Sequence, residues 1–144
     1  MKDQITLKTV DSSYFELPSI IAFSIGNPTS EKIQQILDSY KKSNQYLIGC
    51  FLGEKLMGIV GFKVHNNEIT IRHISVLAEF QRKGIGAMLI NYVKDHFKPH
   101  IILAETDEDS LNFYIKLGFK YREIQNQHSR IRYKCKLVLF EKRN

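Results

Sequence analysis

Gln81-Arg82-Lys83-Gly84-Ile85-Gly86 lies between an apolar segment that ends at Val76 and an amphipathic segment that runs to Phe97. The stretch therefore reads as a strand-to-helix joint carrying two glycines. Glycine lets main-chain N–H groups come close to a ligand, and a helix start adds unpaired donors and the positive end of a dipole. A phosphate is the expected occupant of this turn.

Working outward, the β-rich runs 46–52 and 56–64 are separated by Gly53-Glu54-Lys55, and Asn66-Asn67 turns the chain into 68–76. Three consecutive antiparallel strands are expected there. After Gly84, the apolar residues Ile85, Leu89, Tyr92, Val93 and Phe97 mark one face of a helix that ends before Pro99. A strand at 101–105 follows, then a short helix from an Asp107 cap through Leu117, stopped by Gly118. The runs 119–124 and 132–140 read as a closing hairpin around a polar loop, 125–129.

Before the three strands, 5–9 reads as a first strand. Ser13-Tyr14-Phe15-Glu16 has the form of a capping box, although Pro18 sits in the turn that would follow. A second helix is carried by Ile33, Ile36, Leu37 and Tyr40, with Thr29 and Ser30 as cap candidates. No repeat, low-complexity segment or linker divides the chain, so residues 1–144 are expected to form one domain of mixed α/β type.

The chain has 144 residues, 43% hydrophobic and 25% charged, with a formal net charge of +6. These are ordinary values for a globular domain with a single core. The apolar runs are far too short to span a bilayer and the opening residues lack the layout of a secretion signal, so no membrane partner and a cytoplasmic address are expected. The positive surplus favours anionic partners without choosing among them. Its densest part, Arg130, Arg132, Lys134 and Lys136, alternates with apolar residues as a strand with one wetted face does. No clustered basic helix, zinc spacing or aromatic ribonucleoprotein motif accompanies it, so nucleic acid is not an expected partner. Cys50 and Cys135 read as buried thiols, and the five histidines have no metal-ligand spacing, so no metal is expected.

A dinucleotide site is the first alternative for the glycine turn. Glu105 lies 21 residues (105 − 84) after Gly84, where a ribose-binding acid would fall. Against it, Leu89 replaces the third glycine, and seven residues, 77–83, separate the strand from Gly84. A Walker-type loop fails because no Gly-Lys-Ser/Thr closes the turn.

The segment from Ile74 through Gly86 instead resembles the acyl-CoA-binding motif of the GNAT acyltransferase superfamily, Gln/Arg-x-x-Gly-x-Gly/Ala, with Gln81, Gly84 and Gly86 at its specified positions. A second segment, Asp107 through Phe119, resembles that family's Asn-x-x-Ala-x-x-Phe-Tyr-x-Lys-x-Gly-Phe helix. Phe113, Tyr114, Lys116, Gly118 and Phe119 fit, while Asp107 and Ser110 replace Asn and Ala. The resemblance implies a mixed, mostly antiparallel central sheet with helices on both faces, splayed between 68–76 and 101–105. It implies an acetyl-CoA-dependent N-acetyltransferase acting on an amine-bearing acceptor, and it admits a homodimer.

By the same resemblance, backbone amides from Arg82 through Lys83, Gly84, Ile85 and Gly86 to Ala87 hold the CoA pyrophosphate. The main chain of Ile74, Ser75 and Val76 pairs with the pantetheine amides, and an N–H near Val76 serves the oxyanion. Asp107 and Tyr114 complete the cofactor-binding set. Tyr114 is the expected acid for the departing thiolate, and Glu105 the expected base, with Glu68 and His73 as rivals. The acceptor would meet the two N-terminal helices and the 125–129 loop. The alternative is a CoA-binding regulatory module without turnover.

Overall fold

The computed structural model describes residues 4–125 and 130–140. Seven strands alternate with four helices in a mixed α/β arrangement: β1 (Ile5–Thr9), α1 (Leu17–Ile21), α2 (Ser30–Ser39), β2 (Gln45–Leu52), β3 (Lys55–His65), β4 (Glu68–Val76), α3 (Ile85–Phe97), β5 (Ile101–Thr106), α4 (Glu108–Lys116), β6 (Lys120–Gln125) and β7 (Ile131–Val138). The hydrogen-bonded strand order is β1-β2-β3-β4-β5-β7-β6. Two compact units share β4: Met1–Lys63 with Arg72–Phe97, and Val64–Ile71 with Lys98–Asn144.

In the first unit, β1 and β2 pair antiparallel from Ile5↔Leu52 to Thr9↔Ile48, and β2 pairs antiparallel with β3. Both faces of these strands are covered, which is why β2 and β3 read as nearly unbroken apolar runs. Leu47 and Ile59 pack with Leu17, Ile20, Ile21, Leu37 and Tyr40 from the N-terminal helices. Tyr46 and Phe62, opposite each other in register, meet Phe97 of α3 with ring centroids 5.0 Å away in each case. On α3, Ile85, Leu89, Ile90 and Val93 are buried, each contributing roughly 1.5–3 kcal/mol of apolar burial.

The register of β2 and β3 shifts between Cys50↔Gly58 and Phe51↔Leu56, leaving Met57 as the extra residue of a bulge. The Met57 carbonyl accepts from the Leu77 N–H at 2.9 Å, which fixes the chain where it leaves β4. Glycine relieves a tight fit at position 58. A Cβ there would stand 3.0 Å from Ile85 Cγ2 and 3.1 Å from the Ser75 carbonyl.

In the second unit, β4 and β5 pair in parallel over Glu68↔Ile101, Ile69↔Ile102 and Thr70↔Leu103, a short ladder at their N-terminal ends that fits the expected splay. β7 pairs antiparallel with both β5 and β6. The closing hairpin was expected, but its second strand lies inside the first, next to β5. Gly118 stops α4 with φ +95.

One local expectation is corrected. Ser13 does not open a capping box: its N–H and Oγ both donate to Asp11 Oδ1, at 2.8 and 2.5 Å. The helix begins later, at Leu17, where Pro18 is tolerated in the first turn. Glu16 then uses its carboxylate elsewhere, Oε2 accepting from the Leu56 N–H at 3.0 Å. Thr29 does cap α2, its hydroxyl accepting from the Lys32 N–H at 3.1 Å.

Candidate functional site

The turn before α3 is built almost wholly from main chain. Gln81 is pinned by its side chain, Nε2 donating to the Val76 carbonyl at 3.0 Å. Arg82 and Gly84 both take left-handed backbone, φ +64 and φ +80. For Arg82 this costs about 1 kcal/mol or more, and for Gly84 very little. Alternation of this kind turns successive N–H groups toward one point and favours an anion there. A Cβ on Gly84 would meet nothing within 4 Å, so the space beside it is open.

Gly84 also starts the helix. Its carbonyl accepts from the Met88 N–H at 3.0 Å, so helix geometry leaves the N–H groups of Ile85, Gly86 and Ala87 without an intrahelical acceptor. The first turn carries no acidic side chain to take them. Ile85 is held by its buried side chain, which fixes the direction of the amides. Arg82 and Lys83 are exposed, and Lys83 Nζ lies 5.9 Å from the centroid of the Phe80 ring. Main-chain donors, an open approach and flanking cations suit a diphosphate.

At the end of β4, the Ser75 hydroxyl donates to the Ile20 carbonyl at 2.8 Å and is buried, so its side chain is already engaged. Ile74 and Val76 are half-buried beside it. His73 is taken up by Tyr40, whose hydroxyl lies 2.6 Å from Nδ1. Burial, with a smaller effect of Arg72, holds His73 down to about 4, and burial pushes the Tyr40 phenol up. Tyr40 is thus protonated and His73 neutral at pH 7, and the two share a hydrogen bond through Nδ1. A Cβ on Gly61 would collide with the Tyr40 hydroxyl, so the pair also requires glycine on β3.

In the second unit, Asp107 caps α4, Oδ1 accepting from the Ser110 N–H at 2.9 Å. Tyr114 is buried, with Phe113 and Phe119 edge-on at 5.0 and 5.2 Å between centroids. Burial, and secondly the Cys135 thiol, raise its pKa. The phenol therefore keeps its proton through neutral pH and can act only as a donor there. Glu105 is exposed near the end of β5, opposite Lys134 in register. Glu68 is half-buried at the start of β4. Cys50 and Cys135 are buried free thiols, as expected, and burial raises both.

Three features of the site were not read from the sequence: the Met57–Gly58 bulge, the Tyr40–His73 pair and the Glu16 clasp on β3. Only the first had a local signal, an isolated glycine within a β-rich run. Of the loop expected to meet the acceptor, residues 126–129 lie outside the described residues.

The fold and the glycine turn define an acetyltransferase-type α/β domain. The sequence pattern of the acetyltransferase (GNAT) family matches residues 13–119, and the chain belongs to that family. An uncharacterized N-acetyltransferase of Staphylococcus epidermidis (strain ATCC 12228 / FDA PCI 1200) is 31% identical over 103 residues, covering 64% of this chain and 68% of that protein. The UPF0157 protein YqkA of Bacillus subtilis (strain 168) is 27% identical over 115 residues, and the match spans 77% of this chain but only 32% of that protein. Among solved structures, an aminoglycoside 6'-N-acetyltransferase complexed with coenzyme A superposes with a TM-score of 0.84 at 12% identity, over 96% of this chain and 99% of that one. That likeness is one of fold. Among the described residues no helix is long and apolar enough to cross a membrane.

Proposed function

We propose that the chain transfers an acetyl group from acetyl-CoA to a primary amine by direct attack. The observation that carries this reading is the turn before α3, where main-chain donors from Arg82 to Ala87 stand open and uncapped. These amides bind the pyrophosphate, and because they are backbone groups the exposed side chains at 82 and 83 are free to vary. The main chain of Ile74, Ser75 and Val76 orients the pantetheine arm, with an N–H near Val76 for the oxyanion. Asp107 lends its second carboxylate oxygen to the same arm while the first caps α4.

Acetyl-CoA, when bound, supplies an activated acyl carbon. As the C–N bond forms and the C–S bond breaks, one proton leaves the amine and one reaches sulfur. Tyr114 donates the second, which its burial keeps in place at neutral pH. Glu105 accepts the first through water, its exposure allowing the proton to pass on to solvent.

A panel of polyamines, amino acids, aminoglycosides and peptides with free amino termini, assayed with acetyl-CoA for thiol release, tests the reading. At least one class should give turnover above hydrolysis. Tight CoA binding without thiol release on any acceptor would replace it with the regulatory-module alternative.

A further inference from the structure

We propose that the open sheet face formed by β5, β7 and β6 is a binding site for a small polyanion, a molecule carrying two or more phosphate or carboxylate groups. Register places Lys120 directly opposite Lys136, and Arg122 directly opposite Lys134. Across the other ladder, Leu103 faces Lys136 and Glu105 faces Lys134. Residues that pair in this way project to the same face, so four cations stand together there, while Cys135 and Ala104 are buried on the reverse.

Like charges placed directly opposite across an antiparallel pair destabilise the sheet. Here two such pairs are adjacent. Among the described residues none of the four cations has a carboxylate partner, and Glu105 is no exception despite its place opposite Lys134. A face that only needed to be wetted could carry alternating signs at no cost. Stacked cations are explained by an anion that lies over them.

The face is also concave. Lys120, Arg122, Lys134 and Lys136 line a cavity of about 390 Å3 together with Leu103 and Glu68. That volume falls within the roughly 300–1,000 Å3 of small-molecule sites, which suits a metabolite-sized anion. Glu68 is the acid of the lining and gives the ligand's non-anionic end an acceptor, fit for a hydroxyl or an ammonium. Leu103 supplies an apolar floor. This inference does not depend on the acetyltransferase reading.

Calorimetry with tripolyphosphate, citrate and a 12-nucleotide RNA, at physiological salt, tests it. Tripolyphosphate or citrate should bind this face one to one, any second tripolyphosphate being lost in Gly84→Glu protein, and the Lys120→Gln/Lys136→Gln double variant should bind at this face at least about tenfold more weakly. With the repulsion relieved, the same variant should melt about 1–3 °C higher than the parent in the absence of anion. Gly84→Glu protein should keep its tripolyphosphate binding, which separates this site from the turn before α3. Absence of binding by both small anions, or binding that the double variant leaves unchanged, overturns the proposal. RNA binding tighter than tripolyphosphate, with several chains per strand, overturns it in favour of a nucleic-acid surface.

Discussion

α3 and α4 begin in opposite ways. α4 closes its own start: Asp107 accepts from the Ser110 N–H at 2.9 Å, and Glu108 and Asp109 add negative charge in the first turn. α3 starts from Gly84, with no side chain to accept and no acid in its first turn, so Ile85, Gly86 and Ala87 keep their donors. A closed start stabilises the helix it belongs to. An open one gives up that stability and keeps a place for an anion. In the proposed function the two helices therefore contribute by different means, α3 through its terminus and α4 through a side chain, Tyr114.

The sharpest way to break this comparison is to fill the open start. Gly84→Glu places a carboxylate where the pyrophosphate is proposed to lie, at a backbone of φ +80. Like-charge juxtaposition costs several kcal/mol, so CoA affinity by calorimetry should fall by about 100-fold or more. Unchanged affinity in folded protein would show that the open amides are not the site. Gly84→Ala sharpens the result, because its Cβ would meet nothing within 4 Å. It should cost roughly 1–2 kcal/mol of stability through φ alone and weaken CoA far less than Glu does.

The next effect belongs to the side chain of α4. Tyr114→Phe removes the phenolic proton and keeps the ring against Phe113 and Phe119. In steady-state assays with the best acceptor, kcat should drop on the order of 100-fold, with CoA affinity within about twofold of the parent. Full turnover in this variant would leave α4 with a purely structural tyrosine.

The difference between the helix starts also decided what could be read from the sequence. Glycine at a strand-to-helix joint and Asp before a helix are local signals, so the turn at Gly84, the Asp107 cap and the Thr29 cap were all legible from residue type and spacing. The Ser13–Glu16 pattern misled because Asp11, two residues upstream, competes for the same N–H and hydroxyl, and Glu16 is claimed by Leu56 from 40 positions away in the chain. The partner of His73 was equally hidden, since Tyr40 at its Nδ1 lies 33 residues distant. Contacts of that separation leave no periodic trace. The position of β7 between β5 and β6 was hidden for the same reason, since a hairpin read locally does not say which of its strands meets a third.

A smaller effect tests the closed start. Asp107→Ala should cost about 1 kcal/mol by urea unfolding, similar to Thr29→Ala at α2, while Asp107→Asn should keep the cap and the stability. An unchanged midpoint for Asp107→Ala would mean that α4 does not rely on its cap, and the contrast with α3 would lose its stabilising half.

The remaining effect appears only on acidification and concerns β4, the strand that leads to the open start. His73 is lowered to about 4 in the folded chain, against about 6.5 when unfolded, with burial the first cause and Arg72 the second. The unfolded chain thus binds more protons between these values, so the contribution of His73 is fully present above about pH 6.5 and is lost as pH falls toward 4. Arg72 lies over the Tyr40 ring at 5.1 Å and donates to Ser39 Oγ at 2.9 Å, so a proton on His73 would arrive beside a cation already fixed in place. Melting temperatures between pH 7.5 and pH 4.5 should fall more for the parent than for His73→Gln, which cannot gain the charge. Parallel curves for the two proteins would show that the Tyr40–His73 pair does not couple folding to pH.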